Sequence, residues 1–113
     1  MRTVYFDVDH TIFYPASEFP SYSYLPHHVI RGRTFYENTA VTELIKDFYA
    51  RGHTVIVWSA GGEDWAEKVV RACGLEHEVR YCLAKPSWLF DDKQAVEWLP
   101  PTVELLPRKR EEA

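Results

Sequence analysis

The chain has 113 residues, 46% of them hydrophobic and 27% charged, and a net charge of -4 at neutral pH. These values fit one compact globular domain and exclude a disordered chain or a general electrostatic pull toward nucleic acid or anionic membranes. Cys73 and Cys82 are the only cysteines, too few for a disulfide framework and without Cys-x-x-Cys spacing. A reducing, cytoplasmic setting is therefore expected, with no signal-peptide layout and no apolar run near the ~18 residues of a membrane span.

Val4-Tyr5-Phe6 is short and β-prone and ends abruptly in Asp7-Val8-Asp9, a buried strand running into a polar loop. From Tyr14 to Tyr36 no period holds, and Pro15, Pro20 and Pro26 break the segment. It predicts an irregular loop with a short hairpin between Val29 and Phe35 around Gly32. Val41, Leu44, Ile45, Phe48 and Tyr49 then mark one face of an amphipathic helix, with Asn38 or Thr39 as its cap and Gly52 as its stop. Thr54 to Trp58 is apolar on both faces, as in a central parallel strand, and ends in Ser59-Ala60-Gly61-Gly62.

A second helix is predicted from Glu63 and Asp64, with Trp65, Val69, Val70 and Cys73 on its inner face and Gly74 at its end. Val79 to Leu83 reads as a third strand, and Ser87 to Phe90 as a fourth that ends in Asp91-Asp92. A brief helix over Lys93 to Trp98 and an edge strand over Val103 to Leu106 complete the domain. Beyond Pro107 the run Arg108-Lys109-Arg110 is offset by Glu111 and Glu112 and reads as a solvated, frayed tail. The alternation implies a single domain over 1–106, with a flap insertion at about 13–37 and a tail over 107–113. Its expected fold is a three-layer α/β/α sandwich on a mainly parallel, Rossmann-like sheet of five strands, the first of them central.

In such sheets ligands bind outside the carboxyl ends of the strands, where Asp7, Asp9, Ser59, Lys85, Asp91 and Asp92 gather. A strand ending in Asp-x-Asp is, by itself, as well explained by ordinary turn-forming residues. The ordered set says more. Phosphoryl transfer needs a nucleophile, a proton donor and positive charge against the phosphate. Asp7, Asp9 and Asp91 or Asp92 make sense around magnesium, which takes hard oxygen ligands and relieves carboxylate repulsion. Lys85 supplies a compact cation. The Ser59 hydroxyl and the neighbouring backbone at Ala60 and the Gly61-Gly62 turn offer hydrogen bonds to phosphate.

Taken together, these segments resemble the haloacid dehalogenase superfamily of phosphohydrolases over Val4 to Asp92. Tyr5-Phe6-Asp7-Val8-Asp9-His10-Thr11 is similar to its first motif, Val55-Ile56-Val57-Trp58-Ser59 to its second, Lys85 to its third and Leu89-Phe90-Asp91-Asp92 to its fourth. The resemblance implies that Asp7 is a nucleophile forming an aspartyl-phosphate and Asp9 the general acid and base. It implies that Thr11 supports the loop, that Ser59 binds phosphate, and that Lys85 holds nucleophile and phosphate together. It also implies that the Val8 carbonyl and a fourth-motif aspartate, Asp91 in preference to Asp92, complete a magnesium shell with Asp7. Asp9 speaks against dehalogenation. His10 departs from the glycine many members carry, and reads as a loop residue or a contact to the leaving group.

Substrate is harder to read. The gaps between motifs hold no helical cap, so the resemblance implies an open site suited to macromolecular ends or phosphoproteins, or closed by a second copy of the chain. The flap's rings (among them Phe13, Tyr14, Phe19, Tyr22 and Tyr24) and its Arg31 and Arg33 would suit a nucleotide or a nucleic-acid 3′-phosphate, or else simply pack the flap. His27-His28 lacks partners at zinc-ligand spacing. Two rivals stand beside the phosphatase. A signalling receiver places its phospho-accepting aspartate later in the order, and a non-catalytic binding or assembly module would keep the fold without turnover.

Overall fold

The structure, a computed structural model, describes residues 1–110. Six strands and three helices follow in chain order. The strands β1 (Thr3–Asp7), β5 (Thr54–Ser59) and β6 (Val79–Ala84) form a parallel sheet in the order β1-β5-β6. The strands β2 (Phe13–Pro15), β3 (His27–Ile30) and β4 (Arg33–Glu37) form a separate antiparallel sheet in the order β2-β4-β3. The helix α1 (Thr39–Ala50) joins β4 to β5, α2 (Glu63–Ala72) joins β5 to β6, and the single turn α3 (Ala95–Trp98) follows β6.

The register explains the layering. Val4 pairs with Val55 and Phe6 with Val57, so these four share one face of the sheet. That face joins one cluster with Val41 and Ile45 of α1 and Val69 and Val70 of α2. Because the order β1-β5-β6 steps in one direction, the right-handed rule for parallel crossovers puts both helices on the same side. Each fully buried aliphatic chain there contributes about 1.5–3 kcal/mol. The opposite face carries Tyr5 and Tyr81, 48% and 51% exposed, and the Tyr5 and Trp58 rings lie 4.6 Å apart on it.

The expected three-layer, five-stranded sandwich is therefore corrected. The parallel sheet has three strands, β1 is at its edge rather than its centre, and among the described residues no helix covers the second face. Ser87 to Phe90 forms no strand, with Trp88 84% and Phe90 95% exposed. Its apolar run has local β-propensity but does not pair with the outer edge of β1, and propensity without burial does not hold a strand. Val103 to Leu106 is likewise not a strand, and the brief helix shrinks to Ala95–Trp98.

The flap is more ordered than its prolines suggest. The hairpin around Gly32 is present, turning through Arg31 and Gly32 at φ 53° and 74°. Two central residues with positive φ match the twist of the flanking strands. Phe13 and Phe35 stack at 5.5 Å, and both rings meet Trp65 of α2, which seats the flap on the parallel domain. The tail is anchored rather than frayed as far as it is described: Arg108 pairs with Glu43 at 2.6 Å and its carbonyl accepts from the Tyr24 hydroxyl. The expectation for Glu111 and Glu112 lies outside the described residues.

Candidate active site

The carboxyl ends of β1, β5 and β6 bring five of the predicted residues together. Asp7 is the last residue of β1, and the chain then folds tightly back: the Val8 carbonyl accepts from the N–H groups of Thr11, Ile12 and Phe13 at 2.8–3.1 Å. This turn carries the Thr11 hydroxyl to Asp7 Oδ2 at 3.2 Å. It also occupies the Val8 carbonyl, which corrects its expected place in a metal shell. His10 sits inside the turn at φ 63°, a left-handed conformation that favours glycine. Its ring packs against Tyr14 and Phe19, with Glu18 at 3.5 Å, so it serves the loop and flap.

Ser59, fully buried at the end of β5, is the hub. Its hydroxyl donates to Asp9 Oδ2 at 3.3 Å and accepts from the Gly61 N–H at 3.0 Å. Its carbonyl accepts from the backbone N–H of Lys85 at 2.9 Å and of Gly62 at 3.1 Å. Fixed this way, Lys85 places Nζ 3.0 Å from Asp7 Oδ1, both side chains about one-third exposed. The Gly61 and Gly62 N–H groups are spent on Ser59, so they do not face a ligand as expected, and Ala60 is an exposed loop residue between Ser59 and Gly61. A Cβ at Gly61 would lie 3.1 Å from Trp65 Cδ1 and 3.3 Å from Ser59 Oγ, so a larger residue there would have to push one of them aside.

Trp65 is the residue that sequence reasoning assigned to packing alone. Its indole N–H donates to Asp9 Oδ1 at 3.1 Å while its ring rests on Phe13 and Phe35. Its position on the helix's inner face announced the packing; nothing in the spacing announced the donor. Both oxygens of Asp9 are thus held, one by β5 and one by α2.

Asp91 and Asp92 do not join the group. Both are exposed, and Asp91 Oδ1 accepts from the Lys93 N–H at 3.0 Å, which holds its carboxyl below the usual carboxylate range. No three of Asp7, Asp9, Asp91 and Asp92 bring ligand atoms within 4.8 Å of one another. The physical reason is the missing fourth strand: without pairing at the edge of β1, nothing carries the acidic pair to the end of Asp7's strand. Of the expected metal ligands, Asp7 and Asp9 are the two left at this strand end, and magnesium takes one or two carboxylates beside waters and a substrate phosphate. A surface depression of about 680 Å³ lies at the other end of the sheet, lined by Thr54, Val79, His53 and His77 among others. The Asp7 group is instead an open surface site.

No helix of the described chain is long and apolar enough to cross a membrane. Comparison with protein-family models, with curated proteins and with solved structures finds no match to this chain.

Proposed function

We propose that the chain hydrolyses phosphate monoesters, with the Asp7 carboxylate as nucleophile, on a haloacid dehalogenase-like plan. The observation that carries this reading is the convergence of Lys85 and Thr11 on Asp7, and of Ser59 and Trp65 on Asp9, at one end of a parallel sheet. An Asp7 oxygen attacks phosphorus, the ester P–O bond breaks, and Asp9 gives its proton to the departing oxygen. Water then attacks the aspartyl-phosphate phosphorus, Asp9 takes a proton from it, and inorganic phosphate leaves with Asp7 restored. Lys85 balances negative charge at Asp7, and Ser59 and Trp65 hold Asp9 in place. Magnesium, held by Asp7 with waters and the substrate phosphate while Asp9 stays free to carry the proton, would supply further charge compensation.

The open site admits a nucleotide, a nucleic-acid 3′-phosphate or a phosphoprotein. Most flap rings are spent internally: Phe13, Tyr14, Phe35 and Tyr36 are buried. Base stacking is left to the half-buried Phe19, Tyr22 and Tyr24. One observation favours a second reading, a phosphate-binding module without turnover: the absence of Asp91 and Asp92 from the Asp7 group. A phosphatase screen with magnesium over nucleotides, 3′-phosphorylated oligonucleotides, phosphopeptides and sugar phosphates separates the two. Turnover that Asp7→Asn abolishes on every substrate supports the hydrolase. Wild-type rates in that variant would overturn the mechanism, and no turnover with measurable phosphate binding would leave the module.

A further inference from the structure

We propose that His28, Glu37 and Cys73 form a second site, for a divalent transition metal of the zinc type, at the seam between the flap and α2. The three come from β3, from the last residue of β4 and from the C-terminal cap of α2. Their ligand atoms lie within 4.8 Å of one another, and among the described residues they are the one such trio of His, Cys, Asp and Glu. The site is independent of the Asp7 reading.

The surroundings are those of a built site. The His28 ring stacks on Phe13 at 5.2 Å and 23°, which fixes its plane. Glu37 Oε2 accepts from the Thr42 hydroxyl at 2.7 Å, leaving Oε1 turned toward His28 Nε2 at 2.8 Å. Such partners orient a ligand from behind. The His28 and Glu37 side chains are only 19% and 13% exposed. A carboxylate and a thiolate bring two negative charges, a divalent ion cancels them, and the imidazole stays neutral. A nitrogen, oxygen and sulfur set selects zinc over magnesium or calcium, which avoid thiolate.

Binding breaks the Cys73 S–H bond, sends that proton to solvent and forms a metal–sulfur bond; His28 binds through Nε2 with its proton on Nδ1. The fourth position is left to water. An ion there ties the flap to α2, next to the Phe13 and Phe35 contacts with Trp65.

Cobalt(II) is the probe. Titrated into the full chain, it should give a thiolate-to-cobalt charge-transfer band with one equivalent, and zinc should displace it and raise the melting temperature. Cys82→Ser should keep the band, Cys73→Ser should lose it, and His28→Gln should weaken binding at least tenfold. Metal-free melts of each variant check folding, and Glu37→Gln, which keeps the Thr42 contact, serves if Cys73→Ser fails to fold. No band at stoichiometric cobalt, or a band that survives Cys73→Ser, would overturn the site and leave a metal-free hydrogen-bond network.

Discussion

Lys85 Nζ lies 3.0 Å from Asp7 Oδ1, and Ser59 makes the pair by holding the Lys85 backbone at the end of β5. Both side chains are about one-third exposed, so the pair adds no more than about 1 kcal/mol to stability. Its proposed value is in charge balance during transfer. Lys85→Ala should therefore unfold within about 1 kcal/mol of the wild type, yet lose roughly 100-fold or more in turnover. Urea unfolding and initial rates on one substrate check both halves; unchanged turnover would remove Lys85 from the site.

Trp65→Phe keeps a ring against Phe13 and Phe35 and deletes only the donor to Asp9. The stability cost should be about 1 kcal/mol. Turnover should fall about tenfold through kcat, with KM little changed, because Asp9 is left with Ser59 alone. A full pH–rate profile distinguishes this from loose packing: a displaced Asp9 shifts one limb of the profile, whereas a structural defect lowers the whole curve evenly.

His10 occupies a left-handed position, φ 63°, in the turn between Asp9 and Thr11. A β-branched residue is poorly suited to that conformation, and strain of this kind costs of order 1–3 kcal/mol. His10→Val should lower stability by about 2 kcal/mol. His10→Gly relieves the backbone but gives up the contacts with Tyr14 and Phe19, and should stay within about 1 kcal/mol of the wild type. Urea midpoints of the two variants give the comparison, and equal stability would show that the turn is not strained.

How far the sequence carried these conclusions depends on the range of the interactions. The stripe from Val41 to Tyr49, the apolar run from Thr54 to Trp58 and the hairpin at Gly32 are local patterns, and all three are present. The strand expected at Ser87 to Phe90 does not form, since local β-propensity does not by itself bring a segment to the edge of β1, where no strand pairs among the described residues. Asp91 and Asp92 depended on that strand. Asn38 starts α1 as expected, but its side chain makes no cap and bonds elsewhere, since a buried amide satisfies whichever groups are nearest. His28, Glu37 and Cys73 were out of reach because only the folded flap brings them to one place.

Tyr14 gives the fold an alkaline limit. Burial first, and the neighbouring Tyr22 next, push its phenol above the ordinary value of 10.0. A raised folded value stabilises fully below the unfolded value and is lost as pH climbs through the folded one. As pH rises above about 10, stability should fall more steeply in the wild type than in Tyr14→Phe. Urea midpoints at pH 9 and 11 measure the difference; parallel slopes would place the alkaline loss in other groups.

Asn38 decides whether the C-terminal segment stays on the domain. Fully buried, it donates to the Thr11 carbonyl at 3.1 Å and the Leu105 carbonyl at 2.9 Å, tying the Asp9–Phe13 turn, the start of α1 and the tail together. Asn38→Ala strips both carbonyls of a partner, at about 1–3 kcal/mol. Asn38→Asp is worse, because it faces the same carbonyls with an acceptor. In both variants the segment from Leu99 to Arg108 should become a preferred site of limited proteolysis, read by mass spectrometry, while the wild type resists. Arg108 with Glu43 is the competing anchor, exposed at the surface and screened by salt. If Asn38→Ala leaves the tail protected until Glu43→Gln is added, the surface pair rather than the buried amide holds it.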